Sequence, residues 1–191
     1  MNRSQARALV DHLLTMVGDG YTIITWNGLG FDFDVLAEES GAHRECSQLA
    51  TEHVDLMFHA FAVMGFPVAL DRAARGMDIG GKFEGISGAL APRLWAEGQT
   101  ETVMRYVAQD VRMLAALAEA CERCGEMRWV TRKGSLGRMP LPDGWLRVHD
   151  AHRLPLPDVS WMDDPWPRSR FSSWLIEPLL GPASGGSSSA D

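Results

Sequence analysis

The stretch from Tyr21 to Asp32 constrains this chain more than any other. Tyr21-Thr22-Ile23-Ile24-Thr25-Trp26 is β-branched and nearly continuous in apolar or Thr side chains, as expected of a strand buried on both faces. Asn27-Gly28-Leu29-Gly30 then turns the chain, and Phe31 to Glu39 resumes a helical spacing with Phe31, Val35 and Leu36 on one side. A carboxylate, Asp32, is therefore expected in the first turn of a helix that directly follows a strand.

Composition limits what can be built around that unit. A chain of 191 residues with 46% hydrophobic content can bury one sizeable core, so one domain with a tail is expected. A net charge of −7 removes any general attraction to phosphate backbones, and a nucleic-acid partner would have to be held locally by metal and a few basic residues. The longest apolar runs fall short of the roughly 20 residues that span a bilayer, and Met1-Asn2-Arg3-Ser4-Gln5-Ala6-Arg7 lacks the apolar core of a signal peptide. These features predict a soluble cytoplasmic protein without a membrane partner. Three cysteines fit a reducing compartment. Cys121 and Cys124 read as two thiols on one helix face, because zinc wants four ligands and no second pair is present. His149 and His152 lie in a Pro-rich region where no helix is expected to align their rings.

Helical spacing runs from Ser4 to Val17 with Ser4 as N-cap, and Gly18-Asp19-Gly20 ends it. A second short strand is expected at His53-Val54-Asp55-Leu56-Met57. Helix follows from Phe58 to Met77, broken at Gly65-Phe66-Pro67. Glycines at 76, 80, 81, 85 and 88 make a loop. Pro92 to Gly98 is a short helix, and Thr100 to Arg123 is the longest, with Val103, Val107, Val111, Leu114 and Ala118 as its apolar stripe. Beyond Gly125, two Pro-Leu-Pro-Asp segments and Trp145, Trp161, Trp166 and Trp174 predict an extended arm pinned to the core by its aromatics. The expected organisation is an α/β domain over 1–125, a Pro/Trp-rich arm over 126–180 and a disordered tail over 181–191.

On the long helix, Tyr106 and Asp110 lie one turn apart, so both side chains project towards a common point. Alone, such a pair is commonly a solvated edge. Together with Asn27-Gly28-x-x-Phe31-Asp32 it resembles the DEDD superfamily of 3′–5′ exonucleases, which has a ribonuclease H-like fold, and in particular its DEDDy branch. The first segment looks like the second exonuclease motif and Tyr106-x-x-x-Asp110 like the third. The chain is most similar to bacterial predicted 3′–5′ exonucleases related to the proofreading domain of family B DNA polymerases. That likeness continues through His53-Val54-Asp55-Leu56, Leu70-Asp71-x-x-Ala74, Gly81-Lys82, Leu94-Trp95-x-x-Gly98 and Ser160-Trp161-Met162-Asp163-Asp164-Pro165.

The resemblance implies Asp32 as the catalytic aspartate and a metal ligand, Asp110 as a second metal ligand, and Tyr106 as the residue that orients the attacking water. Asn27, Gly28, Phe31 and Lys82 become the substrate-binding candidates. Two divalent ions, Mg²⁺ or Mn²⁺, are implied in a complete site, and the partner is the 3′ end of a single-stranded nucleic acid. The family's first motif, Asp-x-Glu, occurs nowhere in this chain. Asp34, two residues from Asp32 on a helix, faces away from it, and Asp55 reads equally as a polar strand end or a site residue. The expected architecture is therefore a ribonuclease H-like α/β fold, N-terminally incomplete, with its first strands missing and an exposed sheet edge that a further strand or chain would complete. Weak binding of a single ion and loss of catalysis follow. The alternatives are a non-catalytic remnant that binds nucleic acid or protein, or an α/β interaction module that uses the Trp-rich arm as its contact surface.

Overall fold

The computed structural model describes residues 2–80 and 88–179. In chain order the elements are α1 (Arg3–Gly18), β1 (Ile24–Thr25), α2 (Phe33–Ser40), α3 (His43–Glu52), β2 (Val54–Asp55), α4 (Leu56–Met64), α5 (Leu70–Gly76), α6 (Ala91–Ala96), α7 (Thr100–Cys124), β3 (Glu126–Val130), β4 (Leu136–Pro140), α8 (Val148–Arg153) and α9 (Ser169–Ser172). A π-helical turn, Gly28–Asp32, leads from β1 into α2. The fold is mixed α/β and mostly helical, with two small sheets among the described residues. One is β1 paired in parallel with β2, Ile24 opposite Val54; the other is the antiparallel β3–β4 hairpin.

Two compact units emerge: Met1–Pro67 with Trp145–Asp191, and Val68–Gly144. This division departs from a boundary after residue 125. Gly125 takes a left-handed conformation (φ 67°) at the end of α7 and turns the chain straight into β3. The hairpin stays with α5, whose Gly76 approaches β3 so closely that a Cβ there would collide with the backbone of Arg128 and Trp129. The tail over 181–191 lies outside the described residues.

The first unit is built around a core of Val10, Phe33, Leu36, Leu49, Phe58, Phe61 and Val148. Phe58 and Phe61 are almost wholly buried, each worth about 2–3 kcal/mol of transfer free energy. Helix α1 opens on Asn2 and not on Ser4: Asn2 caps Gln5 N–H at 2.9 Å and the Gln5 side chain returns the bond to Asn2 N–H. The strand expected over 21–26 contracts to Ile24–Thr25 and is only half-buried, because those are the residues that find a partner strand. Likewise 53–57 contracts to Val54–Asp55, since Asp55 caps Phe58 N–H at 3.0 Å and starts α4 at Leu56. On α2 the buried side is Phe33, Leu36 and Ala37, leaving Phe31 and Val35 exposed.

Residues beyond 145 make specific contacts within this unit. Trp145 meets His59 edge-on at 5.6 Å, Trp161 meets Phe66, and the Arg170 guanidinium sits 3.9 Å over Trp166. Phe171 packs on Phe61 at 4.7 Å and on Phe58 at 5.7 Å. Arg168, almost fully buried, donates to the carbonyls of Ala62, His152, Leu154 and Pro155 at 2.6–2.9 Å. The expectation that 149–152 is non-helical does not hold: both histidines lie on α8, where His152 stacks on Phe58 while His149 faces Glu52, so they share no ligand direction.

In the second unit, α7 buries Val103, Tyr106, Met113, Leu117 and Ala120, whereas Val107 and Val111 are exposed. The buried face is thus turned roughly a quarter of a revolution from the stripe read off the sequence, towards Tyr106 and Asp110. Cys121 is buried and Cys124, one turn on along α7, is exposed.

Candidate functional site

The turn that presents Asp32 is held by its neighbours and not by its own propensity. Asn27 leaves β1 in a left-handed conformation (φ 71°), which an Asn tolerates better than most residues. Its N–H, and those of the two residues after it, are each taken by a side chain. Asp55 Oδ1 accepts Asn27 N–H at 2.9 Å and Asp55 Oδ2 accepts Leu29 N–H at 3.0 Å. Thr25 Oγ1 accepts Gly28 N–H at 3.1 Å. The fit is tight enough that any side chain at position 28 would run into Thr25, and a Cβ on Gly30 would stand 2.7 Å from Asn27 Oδ1. From the other side, Trp174 Nε1 donates to Leu29 O at 2.7 Å.

Asp55 is therefore engaged by the backbone. With the capping bond to Phe58, its two oxygens receive three N–H donors, and the side chain is fully buried. Burial pushes its carboxyl upward while those amides pull it down, leaving it raised overall. His53 Nε2, 3.9 Å from Asp55 Oδ2, brings no positive charge at neutral pH, since burial lowers the imidazole to about 4.

Asp32 closes the turn with a solvent-accessible side chain and makes no capping bond to α2. Its carboxyl is raised, first by desolvation and then by the negative charge of Asp55. Phe31 beside it is 60% exposed, an aromatic face free to stack. Asn27 Oδ1 is buried without a hydrogen-bond partner. Asn27, Gly28, Phe31 and Asp32 are thus brought together on one turn.

Tyr106 and Asp110 are brought together on α7. The Tyr106 phenol hydrogen-bonds the Asp110 carboxylate and is pushed up to about 12, mainly by burial and then by that bond and charge. Asp110 Oδ1 is buried without a hydrogen-bond partner. This pair belongs to Val68–Gly144 and the Asp32 turn to Met1–Pro67. Lys82 lies outside the described residues. Sequence reasoning missed Thr25, His53 and Trp174; the alternation of His53 and Asp55 about Val54 carried a faint signal for the second.

Residues 1–122 match the RNase H superfamily. The chain belongs to the RNase H superfamily. Membership extends over β1, the Asp32 turn, β2 and all but the last residues of α7, and carries with it a nuclease-like fold. No curated protein and no solved structure matches this RNase H superfamily chain.

RNase H superfamily members typically use divalent metals. Among the described residues no cluster of three or more His, Cys, Asp or Glu could hold an ion. Asp32 and Asp110 are oxygen donors of the kind a hard cation takes: the Asp32 carboxyl is raised by desolvation and by the negative charge of Asp55, and Asp110 has an orphaned buried oxygen. Among the same residues no helix is long and apolar enough to cross a membrane.

Proposed function

We propose that the chain is a 3′–5′ exonuclease-type domain that acts on the 3′ ends of single-stranded nucleic acid, with Asp32 and Asp110 as metal ligands. The observation that supports it most is the Tyr106–Asp110 pair: a phenol directed at a carboxylate whose second oxygen has no partner. A buried acceptor left in that state costs about 1–3 kcal/mol, and a cation removes the cost. Asp32 and Asp110 would hold Mg²⁺ or Mn²⁺, which when bound would activate the attacking water and stabilise the leaving 3′ oxygen. Within the chain, Tyr106 orients the attacking water, Asn27 and Lys82 contact the nucleotide, and exposed Phe31 stacks on a base.

Asp55 does not enlarge this set, because its lone pairs go to Asn27, Leu29 and Phe58. The remaining carboxylates would come from an Asp-x-Glu strand added beside β1. Residues 1–191 alone are then inactive or nearly so. The test is cleavage of a 5′-labelled single-stranded oligonucleotide with Mg²⁺ or Mn²⁺. Residues 1–191 are compared with the same chain completed by such a strand, and the completed form with its Asp110→Ala variant. Asp110-dependent shortening from the 3′ end by the completed form is expected. Tight oligonucleotide binding without cleavage in every form would favour a non-catalytic binding role and overturn the assignment.

A further inference from the structure

We propose that Thr25 and His53 are positioning residues that, with Asp55, lock the Gly28–Asp32 turn and so fix the aim of the Asp32 carboxylate. The proposal rests on the assignment of Asp32 as a metal ligand.

The order of donors and acceptors is set by geometry. His53 Nδ1 lies 2.8 Å from Ala50 O, a carbonyl that can only accept, so the ring proton sits on Nδ1. Nε2 is then an acceptor, and Thr25 Oγ1, 2.9 Å away, must donate to it. With its proton committed there, the hydroxyl offers its lone pairs to Gly28 N–H at 3.1 Å. A chain of three hydrogen bonds thus runs from the end of α3 through an almost fully buried imidazole to the first residue of the turn. Asp55 holds the amides on either side. The imidazole is neutral at physiological pH, as acceptance at Nε2 requires.

These residues act on the backbone donors of the turn, while its Leu29 carbonyl is taken by Trp174 Nε1–H. Asn27 Oδ1 is unpartnered and Asp32 makes no cap, so the polar groups of the turn that remain available are oxygens on one short segment. A π-helical turn is an uncommon local structure, and such turns gather where a side chain must be aimed. In the absence of Thr25 and His53, only the two outer amides would be held, and Asp32 would move with the loosened middle.

Thr25→Val removes the hydroxyl at constant shape, Thr25→Ser restores it, and His53→Gln shortens the relay. Native-state hydrogen exchange reads the amides of residues 27–33 against those of Phe58–Ala62 in α4. Carboxyl NMR reads paramagnetic broadening of Asp32 on addition of Mn²⁺. In Thr25→Val the turn amides are expected to exchange roughly tenfold faster while α4 is unchanged, the loss of one hydrogen bond acting locally. Mn²⁺ broadening at Asp32 weakens in parallel, and Thr25→Ser recovers both. Unchanged turn exchange, an equal rise in the turn and in α4, or full Asp32 broadening with a loosened turn would each overturn the proposal. Asp32→Asn separates it from the assignment beneath it: Mn²⁺ broadening of Leu29 and Phe33 amides that survives this change would remove Asp32 as a ligand, whereas the exchange result would still decide whether the relay holds the turn.

Discussion

Asp55 Oδ2 accepts the backbone N–H of Leu29 at 3.0 Å, joining β2 to the turn that carries Asp32 across 26 positions of sequence. The bond is buried, and the same carboxylate also serves Asn27 and Phe58. Three segments of chain meet on one side chain: the end of β1, the turn, and the start of α4.

Replacing Asp55 should therefore damage stability in steps. Asp55→Ala strands three buried N–H groups and should cost upwards of about 3 kcal/mol, each orphan accounting for about 1–3 kcal/mol in isolation. Asp55→Asn keeps an acceptor for two of them but sets an amide N–H₂ against the third, and should cost about 1–3 kcal/mol. Urea unfolding of the three proteins checks the ranking; an Asp55→Ala protein as stable as wild type would show that the cluster is not held this way.

Stability should fall on mild acidification. His53 and His59 are both lowered from 6.5 to about 4, His59 by burial alone, with Leu146 N–H donating to its Nδ1 at 3.2 Å. Between pH 6.5 and 4 the unfolded chain takes up protons that the native state refuses, so this contribution is complete above pH 6.5 and is lost as pH falls. At pH 5 each ring accounts for about 2 kcal/mol. Asp32 and Asp55, whose carboxyls are raised, act in the opposite sense: the native state binds their protons first, so they offset part of the loss at the acid end. Urea midpoints at pH 7, 6 and 5 should decline in wild type and decline about half as steeply in His59→Gln, where the carboxyl contributions cancel in the comparison. Equal slopes would mean that His59 titrates normally.

Arg168 closes the segment 152–155 onto α4 through four carbonyls. Arg168→Met keeps the stem but orphans those acceptors, and should cost at least about 3 kcal/mol, since bonds to charged groups are worth roughly 1.5–3 kcal/mol each. Arg168→Lys should recover only part, because an ammonium lacks the planar fork that reaches four acceptors. Thermal melts give the order wild type, Lys, Met; a Lys variant equal to wild type would show that charge alone suffices.

In any form of the protein that cleaves, Tyr106→Phe should lower kcat by roughly ten- to a hundredfold and leave KM within about twofold. The proposed role has the phenol act on the attacking water and not on the bound ground state of the substrate. Steady-state kinetics on a single-stranded oligonucleotide separate the two constants, and an equal loss in both would remove the orienting role.

Local chemistry was legible where it depends on neighbours in sequence. The i, i+4 relation of Tyr106 and Asp110, the breaks at Gly65-Phe66-Pro67 and the long helix from Thr100 all follow from spacing and backbone preference. What spacing could not give is which face of α7 is buried. Val107 and Val111 read as core, yet Tyr106 and Met113 take that place, because burial is decided by what packs against a helix and not by its own periodicity. The turn at Gly28–Asp32 shows the same limit at closer range. Its glycines and its carboxylate are visible in the sequence, but the donors that hold it go to Thr25 and Asp55, and His53 orders Thr25 from 28 positions away. A short strand of two residues carries no pattern of its own; only its parallel pairing of Ile24 with Val54 brings His53 and Asp55 beside the turn, and that pairing exists in three dimensions alone.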